Sequence, residues 1–225
     1  MPPACLHPVP EDLWGQPALA LHVQPHLEPA AQAALHALQG EVALLWPARL
    51  HRAPAAALHL TIYPLVPVRG AFDRDAYWAE IAAPALEVLR GLCAAAGPFR
   101  LRFERVRVTP AAIIAVARDG SGLIERIRRA VAETLPPPPG LAPMRYDLIH
   151  STLARYAAPD PVPGAAVAAL EALPVAIDAP VARLKIVRET VYPCLAMHEL
   201  ASFPLAEGGR QGSPADLRTI DRRSI

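Results

Sequence analysis

The stretches His59-Leu60-Thr61-Ile62 and His150-Ser151-Thr152-Leu153 decide how this chain is read. Each carries a histidine and, two positions on, a threonine. Random placement of eight histidines and six threonines in 225 residues yields about 0.2 such triplets, and two occur. Both fall in short apolar runs of strand type, 58–65 and 146–153. Successive side chains of a strand point to opposite faces, so His59 and Thr61 share one face and Leu60 and Ile62 the other. His150 and Thr152 pair in the same way.

Outward from the motifs, strand 18–24 leads to an alanine- and leucine-rich helix, 28–39, opened by Glu28-Pro29 and stopped at Gly40. Residues 41–57 are broken by Pro47 and Pro54 and have no clear pattern. After the first motif a long helix, 73–96, ends at Gly97-Pro98, and Pro84 predicts a kink or a break within it. Strand 99–108 alternates Phe99, Leu101, Phe103, Val106 and Val108 with arginines and Glu104, and its phase slip near Arg105 predicts a bulge. Strand 111–117 follows the turn at Thr109-Pro110. Asp119-Gly120-Ser121-Gly122 is a turn capping helix 123–135, and Glu125 stands where a dinucleotide fingerprint needs its third glycine. A four-proline loop, 136–140, precedes the second motif. Helix 164–173 and strands 181–191 and 194–201 follow it, and a charged, glycine-rich tail, 207–225, is expected to be loose.

The order strand, helix, strand, helix, strand over 18–108 thus recurs over 111–201, with the motifs at matching points. The expected fold is α+β: one duplicated, bilobal domain in residues 1–205, with two antiparallel sheets facing a central cleft and helices outside. Residues 206–225 form the expected tail.

Composition narrows the classes of function. Lys+Arg 22 against Asp+Glu 21 excludes a basic coat for nucleic acid and an acidic solvating tail. Of the 22 cations only Lys185 is a lysine, so any single arginine is weak evidence for a phosphate site. Cys5, Cys93 and Cys194 are odd in number and widely spaced, which is neither a disulfide framework nor a zinc ribbon. Residues 1–12 hold four prolines and no continuous apolar run, and no stretch suits a bilayer span. The expected setting is the cytoplasm, with no membrane association, and the chain is expected to act as a monomer.

The motif residues suggest their own chemistry. Two imidazoles titrating near pH 6.5 supply one base and one acid at neutral pH. Two hydroxyls can donate to anionic oxygens. Converging on one cleft, they suit phosphoryl transfer with no metal and no cofactor.

At these residues the chain resembles the two-histidine phosphoesterase superfamily, which includes bacterial 2′-5′ RNA ligase-like proteins and RNA 2′,3′-cyclic phosphodiesterases. The resemblance spans roughly residues 18–205 in element order, and Leu153-Ala154-Arg155 after Thr152 resembles the extended second motif of the RNA ligase-like branch. It implies His59 and His150 as acid and base, and Thr61 and Thr152 as phosphate donors. It implies hydrolysis of a 2′,3′-cyclic phosphate, on a nucleotide or an RNA end, to a 2′-phosphate. A 2′-5′ RNA ligase or 2′-5′ phosphodiesterase, and a non-catalytic nucleotide-binding module, are the alternatives.

Three further residues are candidates for substrate contact. Arg155 lies three positions after Thr152, so by alternation it faces away from His150 unless the strand ends or bulges between them. Tyr63 shares the face of His59 and Thr61 and either stacks on a base or closes the groove, or packs in the core or at the rim. Tyr192, with Arg188 near it, is a weaker candidate of the same kind. His22 and His26 have metal-like spacing but no third ligand nearby in sequence. Ser151 points away from His150, which disfavours a serine nucleophile.

Overall fold

Strands and helices alternate along the chain. A computed structural model describes residues 5–47, 49–143 and 147–206. In chain order they form β1 (Cys5–Leu6), β2 (Pro17–Pro25), α1 (Pro29–Leu45), β3 (Leu50–His51), a 3-10 turn (Ala55–Ala57), β4 (Tyr63–Val66), α2 (Arg74–Ala94) and β5 (Phe99–Val108). β6 (Ala112–Asp119), α3 (Leu123–Thr134), β7 (Ile149–Tyr156), β8 (Val162–Pro163), α4 (Gly164–Glu171), β9 (Ile177–Val181), β10 (Arg183–Val191) and β11 (Ala196–Pro204) follow. The expected tail, 207–225, and Tyr146 at the expected start of the second motif strand lie outside the described residues.

Two helices run further than their sequences suggest. α1 continues through Gly40 to Leu45, because its buried stripe of Ala31, Leu35, Leu38 and Val42 spans that glycine. The stripe outweighs the roughly 1 kcal/mol that an interior glycine costs. α2 is a single helix through Pro84. Tyr77, Ile81, Ala85, Leu89 and Cys93 form its buried face, and Glu80, whose carbonyl Pro84 leaves without an amide partner, is exposed to water.

All strand pairing is antiparallel. One sheet has the order β11-β10-β2-β4 and the other β3-β7-β6-β5-β9, while β1 and β8 form a separate two-stranded ribbon. α2 packs on β4 and β11, and α3 on β4 and α2; α1 packs on β7 and β9, and α4 on β5. The fold is therefore mixed α+β with the helices on outer faces. The sheets do not coincide with the two halves of the sequence. β3 and β5 belong with β6 and β7, and β10 and β11 with β2, so each half contributes strands to the other sheet. The short turn at Thr109 explains the first exchange: three residues separate β5 from β6, which obliges them to pair as a hairpin. The bulge expected near Arg105 is present as a register shift between Phe103 and Arg105. No helix among the described residues is long and apolar enough to cross a membrane.

Candidate active site

The two motifs meet backbone to backbone. Leu60 and Ser151, the middle residues of the two triplets, form an antiparallel bridge. Both are fully buried. Alternation then turns their neighbours the other way, and His59, Thr61, His150 and Thr152 all line one groove of about 360 Å³. In the register this bridge sets, His59 lies opposite Thr152 and Thr61 opposite His150. The two imidazoles and two hydroxyls thus face the same space.

The local structure of the first motif differs from the expected strand. Leu60 makes only the isolated bridge, and β4 begins at Tyr63. The 3-10 turn and a bend at Ile62 hold the segment instead. That bend breaks the alternation. Tyr63 pairs with Val23, which is fully buried, and packs on the core. Pro64, opposite His22, lines the groove in its place. Tyr63 thus takes the core-packing role, and the face that alternation assigned to it is occupied by Pro64.

Two helix-borne side chains fix the motif segments from behind. Gln39 Nε2 on α1 donates to the carbonyl of Ala53 (3.1 Å), ahead of the first motif, and to that of Leu153 (2.8 Å), just after Thr152. Arg128 on α3 donates through Nε to Ile62 (3.0 Å), just after the first motif, and through Nη2 to Leu148 (2.8 Å), just before the second. Each side chain therefore ties both segments together, at opposite ends of the bridge.

β7 carries the bulge that Arg155 needed. Ile113 pairs with Ala154 and Ile114 with Thr152, so Leu153 is the extra residue. The phase flips there, and Arg155 joins His150 and Thr152 in the groove. It is not a free cation. Its Nη1 donates to Glu11 Oε2 (2.9 Å), and its guanidinium lies 5.3 Å from the centre of the Tyr192 ring. Tyr192 also lines the groove and donates its hydroxyl to Glu11 (3.0 Å). Arg69 donates to the other Glu11 oxygen (3.0 Å) and pairs with Asp12. Glu11, whose side chain is 6% exposed, thus gathers two arginines and a tyrosine at one end of the groove. Sequence reasoning missed it, because nothing near Glu11 in the chain marks it. Arg188 instead forms an ion pair with Asp75 on the surface (3.3 Å).

Burial pushes the His59 imidazole down to about 4, with its hydrogen bond to the Ala57 carbonyl opposing the shift. That bond (2.8 Å) places a proton on Nδ1 and leaves the lone pair on Nε2. His150 is also lowered, by burial and by the cations of Arg155 and Arg128. Both rings therefore favour the neutral form at pH 7, rather than one of each charge state.

Beside His59, His22 Nε2 lies 2.6 Å from Glu189 Oε2, and Glu189 Oε1 accepts the Cys194 amide (2.8 Å). Burial alone would raise the Glu189 carboxyl, but the hydrogen bond and charge of His22 hold it below its usual range. The donor atoms of His22, Glu189 and Cys194 lie within 4.8 Å of one another, and among the described residues these three could hold a metal ion. In this structure the three residues form a buried hydrogen-bond network. His26 is turned away from it and contacts Arg183 (3.0 Å).

The family model of the 2′-5′ RNA ligase superfamily matches residues 48–192, which include both motifs, Arg155 and Tyr192. No curated protein matches the chain. Among solved structures, TT0787 of Thermus thermophilus is similar at a TM-score of 0.61 and 26% identity, over 83% of this chain and 97% of that one. E. coli LigT, solved with 3′-AMP, is similar at a TM-score of 0.60 and 14% identity, over 85% of this chain and 100% of that one. LigT has also been solved with ATP, and that structure is similar at a TM-score of 0.52 and 16% identity, over 85% and 100% of the two chains.

Proposed function

The chain belongs to the 2′-5′ RNA ligase superfamily, and from that premise we propose that it is a phosphodiesterase opening 2′,3′-cyclic phosphates to 2′-phosphates. The observation that carries this reading is the bridge of Leu60 to Ser151, which sets two imidazoles and two hydroxyls around one space. Water attacks phosphorus and loses its proton to one imidazole. The bond from phosphorus to O3′ breaks, and the other imidazole gives its proton to that oxygen. Thr61 and Thr152 donate to the non-bridging oxygens. Acid, base and oxygen donors all come from side chains, so turnover is expected to survive a chelator.

The groove volume, about 360 Å³, lies at the small end of the range for sites that enclose small ligands. That volume accommodates a single nucleotide. A nucleotide substrate is also consistent with 3′-AMP and ATP in LigT. The test is turnover of adenosine 2′,3′-cyclic phosphate, and of RNA ending in a cyclic phosphate, with the product isomer identified. His59→Ala and His150→Ala are each expected to lose ~10²–10⁴-fold in kcat, the usual cost of an acid–base group. Undiminished turnover by either folded variant would sink the mechanism. Binding of the nucleotide with no turnover by the unaltered protein would make it a binding module.

A further inference from the structure

We propose that Trp14 and His51 form a nucleobase shelf that takes the purine of a nucleoside phosphate whose phosphate lies among His59, Thr61, His150 and Thr152. The inference rests on the phosphoester reading of those four residues. Trp14 and His51 stack in parallel, with ring centres 4.8 Å apart and planes 9° from each other. Both are partly exposed, and both line the same groove as the motifs.

The sheet fixes the path from phosphate to shelf. His51 pairs with Arg155 across β3 and β7, so the two side chains stand on the same face. Arg155 follows Thr152 along β7 past the bulge. A strand advances about 3.3 Å per residue, which sets the shelf roughly 7–10 Å from Thr152. One ribose spans that gap between a phosphate on its 2′ and 3′ oxygens and a base on C1′.

The shelf is held before any ligand arrives. The segment carrying Trp14 is tied down by hydrogen bonds from the amides of Glu11 to Tyr156 (2.9 Å) and of Gly15 to Tyr192 (2.8 Å). Preorganised rings lose little freedom on binding. An indole face accepts any base, and a two-ring purine overlaps it more fully than a pyrimidine does.

Trp14 is one of three tryptophans, so replacing the other two (Trp46→Phe with Trp78→Phe) makes its fluorescence specific. In that background adenosine 2′-monophosphate is expected to quench Trp14 and to bind more tightly than cytidine 2′-monophosphate. Trp14→Ala is expected to weaken adenosine 2′-monophosphate about tenfold, equivalent to ~1.4 kcal/mol. Trp14→Phe restores most of that affinity, His51→Ala weakens it as well, and inorganic phosphate binds all variants alike. Equal affinity of Trp14→Ala, His51→Ala and the unaltered protein for the nucleotide, with inorganic phosphate competing, would overturn the shelf and leave the phosphate site standing. Failure of both phosphate and nucleotide to bind would overturn the phosphoester reading, and the shelf with it.

Discussion

At His59 and His150 the protein has lowered the proton affinity of both groups it would use as acid and base. A reaction that needs one ring neutral and the other protonated runs fastest between their two pKa values. The optimum of kcat/KM, which reports the free protein, is therefore expected below pH ~6.5, and that of kcat at higher pH, since a bound phosphate anion favours the imidazolium. Rate profiles at low and saturating substrate check this. The His59 shift also bears on stability. Its folded pKa, about 4, lies below the ordinary value of 6.5. Stability is thus fully present above pH ~6.5 and declines as pH falls toward ~4, by up to about 3 kcal/mol. Urea unfolding of His59→Gln across that window is expected to show a shallower decline than the unaltered protein. The motif residues were legible because a repeated His-x-Thr is rare. Glu11, His22 and Glu189 were not, because their partners lie 144, 167 and 167 residues away in the chain.

At the scale of elements, α1 and α3 hold the two motif segments in register through one side chain each. Gln39→Leu and Arg128→Leu each strand two backbone carbonyls that had received a hydrogen bond. Each is expected to cost about 1–3 kcal/mol in urea unfolding. The two variants should then diverge. Arg128→Leu also removes a cation that lowers His150, so its pH optimum should move upward, while that of Gln39→Leu should not. The helices and most strands could be read from periodicity. The strand containing His59 could not, since a bend and a 3-10 turn replace it, and Tyr63 was turned to the wrong face as a result. Arg155 depended on a bulge at Leu153 that alternation can pose as a condition but cannot locate.

For the whole molecule, the balance of 22 cations against 21 anions suits the proposed grip on one phosphate. Its two nearest arginines are already matched to Glu11 and Asp12. The slope of log(kcat/KM) for a mononucleotide against log salt is accordingly expected to be no steeper than about −1, where a protein tracking several phosphates would show a steeper one. Two sheets could be anticipated from the alternating elements, but not the exchange of strands between them, because local patterns do not specify which strands pair. The motifs meet at the Leu60–Ser151 bridge, and an antiparallel bridge has a local two-fold axis. About such an axis the attacking and departing oxygens trade places, and so do the acid and the base. A substrate seated back to front would present O2′ to the acid and yield the 3′-phosphate in place of the 2′-phosphate. The flank of Trp14, His51 and Arg155, and the unlike settings of His59 and His150, distinguish the two orientations. The isomer ratio of the products would measure how faithfully the substrate is seated, independently of how fast it reacts.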